Sequence, residues 1–186
     1  MFGRRFAPDT AYIRSQAATG LPITPTAIAR GLAMRVVGAS DDYRERARFA
    51  QMLVNDLSAT ADLPACKVIV ADRAQVHRHD GQRLQSKTYG YYRCSFNYGR
   101  VTGAKIRIYH RTAVRQQAIS PKVFLNTVLH EWIHHFDFAG LGLDRSPHTA
   151  GFYARLRALA EALDVGFVLP PEPDQAGKPA SSAPAT

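Results

Sequence analysis

His130-Glu131-Trp132-Ile133-His134 sets two imidazoles four residues apart, with a carboxylate next to the first. On a helix of 3.6 residues per turn, positions four apart share one face about 6 Å along the axis, so both rings can converge on one tetrahedral zinc ion. Glu131 then stands beside the metal without ligating it. A carboxylate there takes a proton from water and later passes it to a leaving amine, which is the division of labour in metal-assisted peptide hydrolysis.

Two histidines do not complete such a site, since three protein ligands plus water is the usual count. The metzincin extension would want Gly and His three and six residues after His134, where this chain has Asp137 and Gly140. The next downstream histidine is His148. Ser146-Pro147 reads as an N-cap followed by proline at the first helical position. The sequence therefore predicts His148 in the first turn of a helix carrying Phe152, Leu156, Leu159 and Leu163, and a helix, short turn and second helix can return it to the metal. Glu161 is the competing third ligand, as in the gluzincin pattern.

The paired histidines need a helix, and Ser120-Pro121 gives it the same cap-then-proline start. Val123, Phe124, Val128, Trp132, Ile133 and Phe136 supply its apolar side, ending near Gly140. Upstream, Ser40-Asp41-Asp42 opens a helix with Tyr43, Ala47, Ala50, Leu53, Val54 and Leu57 on its core face, stopping before Pro64. Three strands follow: Lys67 to Ala71, Thr88 to Phe96 and Lys105 to Tyr109, with Tyr98-Gly99-Arg100 and Gly103 in the turn. Ile106 and Ile108 alternate with Lys105 and Arg107, which predicts one buried face and one wet, basic face. A strand edge near the site can take an extended substrate by backbone pairing.

Other polar residues carry weaker signals. His77 and His79 alternate with charge in a polar loop closing at Gly81; a second metal is one reading and simple exposure the more economical one. His110, after a strand and outside any paired spacing, reads as a surface or second-shell group. His135 points about 100° away from His134 around the helix and is not a ligand. Asp137, one turn beyond His134, either orients an imidazole or is solvated. Tyr153 either packs or lends a phenol to an oxyanion.

His130-Glu131-x-x-His134 followed by His148 and, four residues later, Phe152 resembles the zinc-protease domain of the SprT-like family, which includes Spartan. The resemblance covers roughly residues 40 to 165. It implies an α+β, zincin-like fold in which a helix and a small three-stranded sheet precede the active-site helix. It implies His130, His134 and His148 as zinc ligands and Glu131 as the catalytic base. Bacterial members commonly carry a C-terminal zinc ribbon with four metal-binding cysteines, whereas this sequence holds only Cys66 and Cys94.

Composition sets the rest. With 186 residues and 46% apolar content, the chain suits one domain, residues 40–169, behind a partly ordered basic arm at 1–39 and ahead of a disordered Pro/Ala/Ser tail at 170–186. No apolar run is long enough to span a membrane, and no secretory signal follows Arg4-Arg5. Two isolated cysteines fit a reducing, cytoplasmic setting. The net charge of +9 is concentrated: residues 66–120 hold eleven Lys or Arg against two acids. Lys87, Arg93, Arg100, Lys105 and Arg107 interleave there with Tyr89, Tyr91, Tyr92, Phe96 and Tyr98. Cationic grooves with aromatic platforms suit DNA, single-stranded in particular.

Two functions follow as expectations. The first is a zinc-dependent endopeptidase of SprT-like type, cutting protein or peptide substrates held on nucleic acid. The alternative is a nucleic-acid-binding or regulatory module with a structural, catalytically inactive zinc site.

Overall fold

The computed structural model describes residues 9–79 and 84–165, apart from the side chains of 77–79 and 84–87. Among these residues, five helices and two small sheets form an α+β arrangement: α1 (Thr10–Ala17), α2 (Ala27–Gly38), α3 (Tyr43–Thr60), β1 (Lys67–Ala74), β2 (Val76–His79), β3 (Leu84–Thr88), β4 (Gly90–Asn97), β5 (Arg100–Arg111), α4 (Pro121–Ala139) and α5 (Ala150–Ala162). The expected tail at 170–186, Arg4, Arg5 and the side chains of His77, His79 and Lys87 lie outside the described residues.

β1, β5 and β4 form a mixed sheet in that order, β1 parallel and β4 antiparallel to the central β5. Tyr98 and Gly99 turn the β4–β5 hairpin at positive φ, 48° and 75°. That is the left-handed pair a two-residue turn needs to match strand twist. β5 is longer than the run from Lys105 to Tyr109 suggests, and β4 starts at Gly90 rather than Thr88. The polar stretch around His77, expected as a loop, is instead β2 of a separate β2–β3 hairpin. Its pairing depends on β3, a partner that local polarity does not reveal.

One face of the three-stranded sheet packs on the helices. Val68, Val70, Ile106 and Ile108 are buried there against α3 and α4, whose Leu53, Leu57, Phe124, Val128, Leu129, Trp132 and Ile133 have essentially no exposure. Trp132 satisfies its indole by donating to Ser58 Oγ at 3.1 Å. Arg46, fully buried on α3, donates to Ser40 O, to Ile119 O at 2.6 Å and to Asp41, which fixes the approach to α4. Within 9–39, α2 is capped by Thr26 and packs on α3 and α4, with Ala29, Leu32, Ala33 and Val36 in the core. No helix among the described residues is long and apolar enough to cross a membrane.

Candidate metal centre

α4 begins as its sequence requires: Ser120 Oγ accepts from Val123 N at 3.3 Å and Pro121 occupies the first turn. His130 and His134 then project from one face. α5 begins differently from the expectation. Its N-cap is Thr149, whose side chain accepts from Phe152 N at 3.1 Å, so His148 lies just before the helix and not in its first turn. Ser146 does not cap α5 because its hydroxyl is committed elsewhere, to His134 and Asp137.

Even so, His148 reaches the pair. Its Nε2 is 3.0 Å from Nε2 of His130 and 3.0 Å from Nε2 of His134, and one ligand atom from each residue fits within 4.8 Å of the others. A ring nitrogen holds either one hydrogen or one in-plane lone pair, so His148 Nε2 cannot satisfy both neighbours by hydrogen bonding. A shared cation removes the conflict: tetrahedral bonds of about 2.05 Å would set such nitrogens roughly 3.3 Å apart. Phe152 floors the cluster, its ring centroid 4.9, 4.7 and 4.9 Å from those of His130, His134 and His148.

The electrostatics favour the ligating form. Burial, then the neighbouring His148, pushes His130 down to about 4, and burial followed by the other two rings pushes His134 well below its usual range. Burial also lowers His148. Neutral imidazole is the metal-binding state. The tautomer of His134 is fixed as well. Ser146 Oγ donates to Asp137 Oδ2 at 2.8 Å, so at 2.7 Å it accepts from His134 Nδ1–H, which leaves the Nε2 lone pair facing the cluster. Asp137 thus acts on His134 through Ser146. Burial pushes the Asp137 carboxyl up, opposed by Arg155 and Ser146. Three neutral, converging imidazoles with an oriented second shell fit a divalent cation that takes nitrogen ligands.

Glu131 shares the cleft with the three histidines and is 5% exposed. Burial raises its carboxyl to about 8 against a hydrogen bond from the Tyr92 backbone. The cleft, about 1170 Å³, runs between Tyr89 with the first part of β4, Gly90 to Tyr92, and the α4–α5 pair. β4 is a sheet edge, and its outer side has no strand partner among the described residues. Gly90 brings that edge close: a Cβ there would meet Arg107 O at 2.7 Å and Thr127 Cγ2 at 2.9 Å, with Glu131 Cγ at 3.5 Å. A glycine inside a strand pattern is the signal for such an approach, and the sequence reading passed over it.

The remaining candidates lie elsewhere. Glu161 is exposed near the end of α5 and outside the histidine cluster. His110, expected at the surface or in the second shell, is 1% exposed, with Nε2 2.9 Å from Asp41 O. β5 carries it under α3, a placement that single-residue polarity does not disclose. His135 is buried, its ring nitrogens 3.0 Å from Tyr92 Oη and 2.9 Å from Pro64 O. Tyr153 is buried at the cleft wall, its ring 6.0 Å from that of His148.

Of the basic residues, Lys67, Lys105 and Arg93 stand opposite one another across all three strands and are exposed, with Arg107 and Tyr91 in the next row of the same face. Arg93 lies over the Tyr91 ring at 4.8 Å. Arg100 is exposed beside the hairpin turn, and the side chain of Lys87 is not described. A scan against protein-family models and searches of curated proteins and of solved structures find no match to this chain.

Proposed function

We propose that the chain is a zinc-dependent endopeptidase with a zincin-like, SprT-like fold, in which His130, His134 and His148 hold the ion and Glu131 is the base. The position of Glu131 carries this reading: a buried carboxylate lining the same open cleft as the three imidazoles and outside their cluster. Desolvating an acid costs stability, and a purely structural site gains nothing from it. An all-nitrogen ligand set favours zinc over calcium or magnesium, which prefer oxygen.

A zinc ion held there supplies a Lewis acid that polarises the scissile carbonyl and makes water a better nucleophile. Glu131, in its ionised form, would take the proton from the attacking water. As the C–N bond breaks, it returns that proton to the leaving nitrogen. The outer edge of β4 from Gly90 onward, which has no strand partner among the described residues, offers backbone groups to an extended peptide lying in the cleft.

The basic sheet face supports substrates held on nucleic acid. Like charges directly opposite one another destabilise strand pairing, so the Lys67, Lys105 and Arg93 row has an electrostatic cost that a bound polyanion offsets. Free Cys66 and Cys94 agree with a cytoplasmic setting. The same face also favours the second reading, a nucleic-acid-binding module whose zinc is structural.

Glu131→Gln separates the two. The variant is expected to retain zinc by metal analysis while proteolysis of an unfolded protein substrate falls by roughly 10²- to 10⁴-fold. Undiminished cleavage would end the endopeptidase reading. Charge reversal at Arg93, Arg100 and Lys105 is expected to weaken single-stranded DNA binding and flatten its salt dependence; unchanged affinity would remove nucleic acid from the account.

A further inference from the structure

His148 belongs to no helix or strand. It follows Pro147 and precedes Thr149, the cap of α5, at the end of the connection that starts after α4. Its place near His130 and His134 therefore depends on whatever holds that connection. The short helix α1, far away in sequence, holds it at both ends.

At the start of the connection, Arg14 donates to Gly142 O at 3.3 Å and to Leu141 O, and Asp9, which also caps α1, pairs with Arg145 at 2.6 Å. At its end, Ser15 Oγ is 2.9 Å from Thr149 Oγ1, and Gln16 Oε1 accepts from Ala150 N at 3.1 Å. Beneath these contacts the fully buried Arg155 donates to Ser15 O at 3.0 Å and to Ala18 O, while its other nitrogen holds both oxygens of Asp137. Asp137 is the acceptor for Ser146, which orients His134. One helix thus flanks the loop ligand on both sides and anchors the chain of hydrogen bonds behind a second ligand.

The contact is intimate enough to require glycine. A Cβ at Gly151 would stand 2.0 Å from Ser15 O and 2.7 Å from Gln16 O, so α5 accepts α1 only because residue 151 has no side chain.

We propose that α1 is the clamp that sets the third metal ligand, so that docking of residues 9–18 and cation binding at His130, His134 and His148 form one coupled equilibrium. Metal binding tightens the clamp, and a docked clamp raises metal affinity by the same factor, as linkage requires. This rests on the metal-centre part of the proposed function and is independent of peptidase activity.

The full chain is used throughout, with Zn²⁺ alone as ligand. Hydrogen exchange is followed in α1 with and without the ion, and zinc affinity is measured by chelator competition. In the wild-type chain, zinc is expected to slow exchange of the α1 amides. Gly151→Ala places a methyl against Ser15 O but substitutes a better helix former within α5. It is expected to leave α5 protected, expose α1 and weaken zinc binding roughly 10- to 100-fold, the range for loss of second-shell support. Should Gly151→Ala fail to fold, Arg14→Ala with Gln16→Ala removes only exposed contacts and should weaken zinc binding about tenfold, the lower end of the same range.

Zinc that binds the wild-type chain without altering exchange in α1 overturns the clamp and leaves the metal centre standing. So does a folded variant with α1 released and zinc affinity within about twofold of wild type, a change too small for the second-shell range. Failure of the wild-type chain to bind zinc at all overturns both.

Discussion

Asp137 and Arg155 form an ion pair at 2.8 Å with neither side chain exposed to solvent. Arg155 presents one nitrogen to both carboxylate oxygens, at 2.8 and 3.0 Å, and Ser146 adds a hydrogen bond of 2.8 Å. A pair so buried depends on completeness, because removing one partner leaves a charge in a medium that cannot solvate it. Arg155→Met should therefore destabilise the protein by about 3–5 kcal/mol, read as a lower urea midpoint. Combining it with Asp137→Asn should recover part of the loss, whereas simple additivity would mean that the two charges are not coupled.

Ser146 links that pair to the site, since its oxygen accepts the Nδ1 proton of His134. Ser146→Ala lets the imidazole adopt either tautomer. Zinc affinity should fall by about tenfold, the lower end of the range for partners that orient a ligand, and the metal-free protein should lose about 1–3 kcal/mol because the buried Asp137 carboxylate loses a hydrogen bond. Equal affinities would mean that packing against Phe152 alone orients the ring.

His148→Ala and Glu161→Ala distinguish the two third-ligand candidates. His148→Ala should reduce zinc to substoichiometric content after gel filtration, because two imidazoles remain from three. Glu161→Ala, at an exposed site near the end of α5, should retain full occupancy and activity.

Gly90→Ala tests the strand edge. The added methyl would meet Arg107 O of β5 and Thr127 Cγ2 of α4 at under 3 Å, so β4 must shift against both. A loss of about 1–3 kcal/mol in stability is expected from the overpacking. Peptide cleavage should fall with it, mainly through KM if the edge binds substrate backbone. A stability loss with kcat/KM preserved would separate this edge from substrate binding.

His110 gives a pH signature away from the metal. Burial lowers its pKa from 6.5; Arg46 on α3 and Arg111 on β5 lower it further, while the backbone of Asp41 and the carboxylate of Asp72 on β1 pull it upward. The Tyr43 ring, 6.2 Å away, completes its surroundings. The unfolded chain therefore takes up a proton near pH 6.5 that the folded chain refuses. The stability His110 contributes is present above that pH and is lost as pH falls below it. His110→Gln should lose less stability than the wild-type protein between pH 7 and 5 in urea titrations. Parallel pH profiles would show that the folded site accepts the proton.

Local chemistry determined much of this protein. Ser120-Pro121 started α4, the four-residue spacing of His130 and His134 put both rings on one face, and alternation around Ile106 and Ile108 gave β5 its buried and basic sides. These are regularities of adjacent residues, written into backbone geometry before any tertiary contact forms. His148 as third ligand is what the family resemblance, with Phe152 four residues later, implies, whereas the contacts that seat it come from distant parts of the chain. Ser146-Pro147 is a cap signal in sequence, and only the approach of Asp137 and His134 gives the Ser146 hydroxyl another use. The β2–β3 pairing, the burial of His110, the role of Gly90 and the reach of α1 across more than 120 residues to Gly142 and Thr149 were decided by tertiary structure. Each depends on a partner distant in the chain, and no local periodicity records which distant surface a residue will meet.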